Sequence, residues 1–236
     1  MTLIRIGNWL FRTRDFAFPL ALVFALIPEP EIFVHSLWAV TAGFSVALLG
    51  QFVRTVTIGL EYIVRGGRNR RVYAEGLVTG GIYSHVRNPM YVGNLLIVAG
   101  VAIASNAWPC LLFSVGLFAF VYSAIIAAEE DYLRRKFGAA HESYCRDVPR
   151  WLPRLRGLGS TLAGMKFHWR RVVLREYGTP FAWIIFIAIV AVMDVWPVDE
   201  QLDLVVLRLI ASGLVIGAIL WAIARILKKN DILIGD

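Results

Sequence analysis

The densest set of side chains suited to binding a ligand lies in residues 80–93, which read GGIYSHVRNPMYVG. The two glycines at its start permit a tight turn that brings the backbone close to a ligand. Tyr83, Arg87 and Tyr91 follow at spacings of four residues, so on a helical path they would face the same side. We therefore expect this segment to form one wall of a pocket that offers aromatic rings and a cation.

The Asn88-Pro89 pair predicts the start of a helix that continues into the apolar run behind it. Asparagine caps the free amides of a helix start, and proline suits the first helical position because it has no amide to satisfy. Free amides and the positive end of the helix dipole attract anions, so this point would suit a carboxylate group. A cap of this kind is also common where no ligand binds.

Glu129 and Glu130 stand at the end of another apolar run. Two adjacent carboxylates at the edge of a membrane are costly unless a cation or a hydrogen-bond donor meets them. They are therefore candidates for contact with a cationic ligand. The alternative is that they begin a cytosolic helix and pair with Arg134 or Arg135, about one turn further on.

Together the two segments resemble a motif pair of membrane-embedded methyltransferases, the isoprenylcysteine carboxyl methyltransferase and phospholipid N-methyltransferase group. Its members carry G-x-Y-x-x-x-R-H-P-x-Y-x-G, then one helical hairpin, then E-E-x-x-L-x-x-x-F-G. In this sequence the second motif is met by Glu129-Glu130, Leu133 and Phe137-Gly138. The resemblance extends over residues 75–155 approximately.

The resemblance implies that S-adenosyl-L-methionine is the cofactor. It assigns no catalytic base; Arg87 and Tyr91 are candidates for positioning the reactants. Asn88 stands where many members have histidine, and its amide can still donate and accept hydrogen bonds but cannot titrate. Nearby His85 is either a substitute for that histidine or merely solvated. The residues that the resemblance places at the cofactor are Leu77, Val78, Gly81, Tyr83, Asn88, Pro89, Met90, Tyr91, Glu129 and Glu130.

Gln51 and Arg54 are candidates for contact with the substrate, because polar side chains inside an apolar run usually face a cavity or a partner. Arg54 and Glu61 lie along one helix face, so a buried ion pair between them is the alternative. Arg146 and Arg150 are two further candidates that would reach in from the cytosolic side.

Ile125 bears on the identity of the acceptor. In the resembling enzymes that methylate prenylated cysteine, an arginine stands four residues before the first glutamate of the pair, as a clamp for the carboxylate. This sequence has Ile125 at that position. Prenylcysteine is therefore not the expected acceptor.

The elements that must position these residues are membrane-spanning helices. The chain has 236 residues, of which 58% are hydrophobic, with a mean hydropathy of +0.65, too apolar for a soluble globule. We predict an all-α polytopic bundle of about six transmembrane helices, each of about 20 residues. The apolar runs lie near 16–28, 32–58, 91–105, 107–128, 180–197 and 204–226.

The net charge of +7 does not indicate a nucleic-acid partner, because of where the basic residues lie. Of the basic residues, Arg54, Arg208 and Arg225 fall inside the predicted spans, and arginines crowd the connections 65–88 and 129–178. By the positive-inside rule these connections, both termini and the active site face the cytoplasm. The expected partners are the bilayer and a lipophilic methyl acceptor. The sequence indicates no oligomeric state.

Three regions follow from this pattern: a membrane methyltransferase core over 1–155, a basic interfacial linker over 156–178 and an appended transmembrane hairpin over 179–236. The core is four spans plus an amphipathic cytosolic cap, residues 129–155. No small-residue cleavage site follows the first apolar run, so no cleavable signal peptide is expected. Cys110 and Cys145 would lie at different depths, and neither has neighbours at zinc-ligand spacing, so we predict no disulfide and no metal.

The predicted function is transfer of a methyl group from S-adenosyl-L-methionine to a lipophilic acceptor: an isoprenoid, a phospholipid, or a small thiol or carboxylate. One alternative is a sterol or steroid reductase of the related membrane fold, which uses NADPH. The other is a non-catalytic membrane protein on the same fold. The adjacent glutamates with Leu133 and Phe137-Gly138 favour the methyltransferase.

Overall fold

The regular structure is helical, as the sequence predicts, in the part of the chain that the structure describes. The computed structural model describes residues 2–13, 30–60, 74, 76–195 and 200–229. The predicted first span, 16–28, lies outside these residues. The elements are α1 (Thr2–Thr13), α2 (Ser36–Leu60), a 3-10 turn (Gly81–Ser84), α3 (Pro89–Ala104), α4 (Trp108–Phe137), α5 (Ala139–Asp147), α6 (Leu158–Ala163), α7 (Trp169–Glu176), α8 (Gly178–Val195) and α9 (Glu200–Lys229).

Helices α2 and α3 are in backbone contact along a row of small residues. A Cβ placed on Gly100 would lie 2.4 Å from the amide nitrogen of Ala47, and one on Gly50 would lie 2.6 Å from the carbonyl oxygen of Gly93. In a membrane, where helices gain little from hydrophobic burial, small residues let them approach closely enough for dense packing. This contact fixes the position of the start of α3, which carries Tyr91.

Gly100→Val is expected to destabilise the protein by about 2 kcal/mol, because the added side chain meets backbone atoms of α2. Unlike a side chain, this backbone cannot rotate to make room. The measurement is the melting temperature of the purified chain in detergent. Gly116→Val is the matched control, because a Cβ at Gly116 in α4 has no atom within 4 Å. Equal melting temperatures for the two variants would show that the α2–α3 contact does not limit stability.

The amphipathic helix α1 lies against the part of α4 that precedes the glutamate pair. A Cβ on Gly7 would overlap the carbonyl oxygen of Ala124, at 1.9 Å, so the two helices touch at this point. Phe11 of α1 belongs to the same buried cluster as Val121 and Ile125 of α4. Helix α1 therefore covers one side of the candidate site.

The predicted number of about six spans is too high for the part of the chain that the structure describes. Three helices there are long and apolar enough to cross a membrane: Ser36–Leu60, Trp108–Phe137 and Ala211–Lys229. A fourth results if Trp169–Glu176 and Gly178–Val192, bent by 53° at their junction, form one span. Helix α3 has 16 residues and so is about 24 Å long, less than the apolar thickness of a bilayer.

Candidate active site

The segment before α3 forms the predicted tight turn. Gly81 has a φ of +55°, a conformation that a glycine adopts without steric cost and most other residues avoid. The Tyr83 amide donates a hydrogen bond to the Gly80 carbonyl (3.1 Å), which closes the turn and buries the tyrosine ring. Val78 packs against this turn, and Leu77 beside it is half-buried.

The start of α3 is only partly as predicted. Pro89 does occupy the first helical position, but the side chain of Asn88 makes no capping hydrogen bond. Its amide donates instead to the carbonyl oxygen of Arg150 (3.2 Å). Arg150 belongs to the cytosolic cap, residues 129–155, so Asn88 joins the start of α3 to that cap. Met90 lies half-buried in the first helical turn.

Tyr91 and Glu129 are brought together by the packing of α3 against α4. The phenol of Tyr91 donates a hydrogen bond to Glu129 Oε1 (2.9 Å), and only 7% of Glu129 is exposed. The ring of Tyr91 also lies 5.1 Å, centroid to centroid, from that of Tyr122. The result is a buried carboxylate bonded to the first of two neighbouring aromatic rings, an arrangement that suits a cationic ligand.

Glu130 faces a different set of partners, because successive residues of a helix point about 100° apart. It accepts a hydrogen bond from Arg87 Nη1 (2.8 Å) and is also paired with Arg150. The alternative pairing of the glutamates with Arg134 or Arg135 is wrong for Glu130. Both of those arginines pair with Asp131 instead. Contact between Glu130 and a cofactor stays a prediction.

Arg87 connects the turn, the glutamate pair and the cap. Its amide donates to the carbonyl oxygen of Pro149 (2.9 Å), and its Nη1 also donates to Cys145 Sγ (2.8 Å). The Nε of Arg87 is buried and has no hydrogen-bond partner among the described residues. Burial raises the pKa of the Cys145 thiol, although the charge of Arg87 opposes the shift, so this thiol is neutral at physiological pH.

The cap is fastened to the turn by buried polar contacts. His85 is 7% exposed, with Nδ1 2.8 Å from the carbonyl oxygen of Arg154 and Nε2 2.9 Å from the hydroxyl of Thr161. The hydroxyl of Tyr144 donates to the carbonyl oxygen of Tyr83 (2.8 Å). The prediction of His85 as a solvated residue is wrong: one ring nitrogen holds the cap and the other holds α6.

Gln51 and Arg54 lie in a separate polar cluster. Their side chains donate to the buried carboxylate of Glu176 at the end of α7, from Gln51 Nε2 at 3.0 Å and from Arg54 Nη2 at 2.8 Å. Arg54 also contacts Asn94 and Thr179. The predicted alternative partner, Glu61, lies outside the described residues. The two substrate candidates thus attach the C-terminal helices to α2 and α3, and substrate contact stays a prediction.

Of the two cap arginines, only Arg150 is at the candidate site. Arg146 is exposed on α5, and no hydrogen bond or ion pair joins it to the site within the described chain.

Tyr122 was missed by sequence reasoning. The available signal was its place seven residues, or two helical turns, before Glu129, on the same face of α4.

No group of three or more histidine, cysteine, aspartate or glutamate side chains that could hold a metal ion occurs within the described residues.

Comparison with known proteins gives the following matches. The family model described as phospholipid methyltransferase matches residues 38–140, which contain both motifs. Protein-S-isoprenylcysteine O-methyltransferase of Schizosaccharomyces pombe is 33% identical over 132 residues, 52% of this chain and 54% of that protein. Cobalt-zinc-cadmium resistance protein CzcN of Cupriavidus metallidurans is 30% identical over 155 residues, 64% of this chain and 68% of that protein.

A plant relative gives a similar match. Protein-S-isoprenylcysteine O-methyltransferase B of Arabidopsis thaliana is 29% identical over 124 residues, 49% of this chain and 60% of that protein. The chain therefore spans only 54% to 60% of the length of these two eukaryotic relatives. Residues 141–236, including both helices of the C-terminal hairpin, lie beyond the matched family model.

Proposed function

The chain belongs to the family of integral membrane methyltransferases that includes the phospholipid and isoprenylcysteine enzymes, and on this premise we propose that it transfers a methyl group from S-adenosyl-L-methionine to a lipophilic acceptor. The observation that carries the proposal is the contact between Tyr91 and Glu129 (2.9 Å). It joins the two motifs, one in the first turn of α3 and the other in the C-terminal half of α4, and leaves a carboxylate and aromatic rings close together.

The residues at this point fit the cofactor. When bound, S-adenosyl-L-methionine supplies a methyl group that is attached to a positively charged sulfur. After the methyl group is transferred, the rest of the cofactor leaves as a neutral thioether. The buried carboxylate of Glu129 suits the ammonium group or the ribose hydroxyls, and the faces of Tyr91 and Tyr122 suit the sulfonium. The buried Nε of Arg87 is a donor suited to the cofactor carboxylate.

In this proposal the protein's main contribution is to hold the two reactants in line in a place that excludes water. Such positioning can lower the barrier by about 7 to 11 kcal/mol. A carboxylate or thiolate acceptor then needs no strong general base, whereas an amine acceptor must arrive neutral. The Arg87–Glu130–Arg150 ion pairs hold the cap over the site and so keep this geometry.

We propose an acceptor other than prenylcysteine. Ile125, at the position of the carboxylate clamp, is fully buried against Phe11 and Tyr122, so this part of α4 presents no cation. Isoprenoid, phospholipid, and small thiol or carboxylate acceptors fit this reading. We further propose that the site and both termini face the cytoplasm, because Arg87 and Arg150 lie in the two arginine-rich connections.

The test is to incubate membranes that contain the chain with methyl-labelled S-adenosyl-L-methionine and to separate the extracted lipids. We expect label in one lipid class, and none above background in membranes that contain the Glu129→Gln variant. Equal labelling in both preparations would contradict the proposal. Tight binding of NADPH with no binding of the adenosyl cofactor would support the reductase instead.

A further inference from the structure

The C-terminal hairpin, α8 and α9, forms a cavity with the methyltransferase core. The cavity has a volume of about 570 Å³ and lies between α3, α4, α8 and α9. This volume is within the usual range for sites that bind small molecules. The core side of its wall is buried and almost entirely apolar, formed by Val98 and Ala102 of α3 and by Cys110 and Phe118 of α4.

One part of the lining is cationic. Arg175 and Lys228 line the cavity together with Tyr177 and Trp221, and the Lys228 ammonium lies 5.3 Å from the centre of the Tyr177 ring. The lining that the structure describes contains no carboxylate. Cations and aromatic rings beside an apolar chamber are the pattern that membrane proteins present to anionic lipid headgroups.

A neighbouring cavity, which the hairpin forms with α2 and α7, has a different charge. It has a volume of about 500 Å³ and is also apolar, but its charged residue is Glu176, and its described lining has neither lysine nor arginine. The two cavities share Tyr177 and Trp221. The difference in charge therefore separates a chamber suited to an anion from one that is not.

Helix α9, which contributes Trp221 and Lys228 to the lining of the cationic cavity, has a face that the rest of the protein leaves uncovered. The segment Ala211–Lys229 is long and apolar enough to span, yet none of its most apolar window is buried in the protein. Ile216, Ile219 and Ile223 are exposed on this helix. A lipid can therefore place one chain in the cavity while its other chain stays in the bilayer beside α9.

We propose that this cavity binds one acyl chain of an anionic phospholipid, with the phosphate held by Lys228 and Arg175. The site is distinct from the methyl-transfer site, because the contacting rings of Phe118, Tyr122 and Tyr91 stand between the cavity and Glu129. The bound lipid ties the hairpin to the core at a second place, besides the Glu176 cluster. This binding does not depend on the proposed methyl transfer.

The experiment measures binding of radiolabelled dioleoyl phosphatidylglycerol to the purified full-length chain in detergent. Unlabelled phosphatidylglycerol and phosphatidylcholine are the competitors. We expect phosphatidylglycerol to compete at a concentration about tenfold lower, since both headgroups carry a phosphate but the choline cation of phosphatidylcholine is repelled by the two cations of the site. Equal competition by the two lipids would overturn the proposal.

Substitutions locate the binding. Lys228→Gln is expected to weaken binding about tenfold, and Lys229→Gln, the matched control outside the lining, to leave it unchanged. Ala182→Trp, which fills the cavity from an exposed position on α8, is expected to remove binding. Equal loss in the two lysine variants, or full binding in Ala182→Trp, would place the lipid elsewhere. Glu129→Gln should bind the lipid normally, so failure of the proposed methyl transfer leaves this result standing.

Discussion

Replacing Glu129 by glutamine is expected to lower the affinity for S-adenosyl-L-methionine about 100-fold and to abolish measurable methyl transfer. The carboxylate is buried and held by Tyr91, so it offers a cationic cofactor a fixed negative charge that an amide of the same shape does not carry. Hydrogen bonds to charged groups contribute about 1.5–3 kcal/mol, which corresponds to this change in affinity. The measurement is calorimetric titration of the cofactor, together with the rate of methyl incorporation.

Two further variants calibrate this result. Tyr91→Phe removes the hydrogen bond but keeps the charge and the ring, so we expect a weaker effect, about tenfold. Glu142→Gln removes a carboxylate from an exposed position on α5 and should change neither cofactor binding nor rate. If Glu129→Gln binds the cofactor as the unmodified chain does, the carboxylate has no part in cofactor binding.

Replacing Glu176 by alanine is expected to destabilise the folded protein by about 3–5 kcal/mol. Arg54 and Glu176 are both largely buried, with side-chain exposures of 12% and 3%, and the substitution leaves a cation inside the helix bundle without its carboxylate. In detergent this loss should lower the melting temperature by about 10 °C. It should also expose the junction between α7 and α8 to limited proteolysis.

The double variant Arg54→Met with Glu176→Met separates the two causes of this loss. Replacing both members of a buried ion pair by apolar residues of similar size is often neutral, whereas removing one member is costly. We therefore expect the double variant to recover at least half of the lost melting temperature. A double variant as unstable as Glu176→Ala would show that the ion pair itself, rather than the uncompensated charge, holds the hairpin.

The motif regions could be predicted from the sequence because their structure depends on neighbouring residues. The turn at Gly81 follows from the conformational freedom of glycine, and the start of α3 at Pro89 follows from the missing amide of proline. The helical character of the apolar runs follows from their length and composition. These features depend on interactions over a few residues, which the sequence displays directly.

The partners of the polar side chains were decided only by the tertiary structure. Arg54 pairs with Glu176, 122 residues away along the chain, and Glu130 with Arg150, 20 residues away. Asn88, predicted to cap its own helix, bonds to the cap segment. A helix brings many candidates onto one face, and spacing alone does not tell which neighbouring helix that face will meet.

Close packing decides which neighbouring helix each helix face meets. The small residues Gly50, Gly93 and Gly100 let α2 and α3 touch, and Gly7 lets α1 press against α4. These contacts set the angle and depth at which Tyr91 meets Glu129 and at which α7 delivers Glu176. The sequence alone therefore determined which segments are helical and which side chains could bind a ligand. Their assembly into the candidate site and into the Arg54–Glu176 cluster that holds the hairpin depended on the shapes of the packed surfaces, which local sequence patterns do not encode.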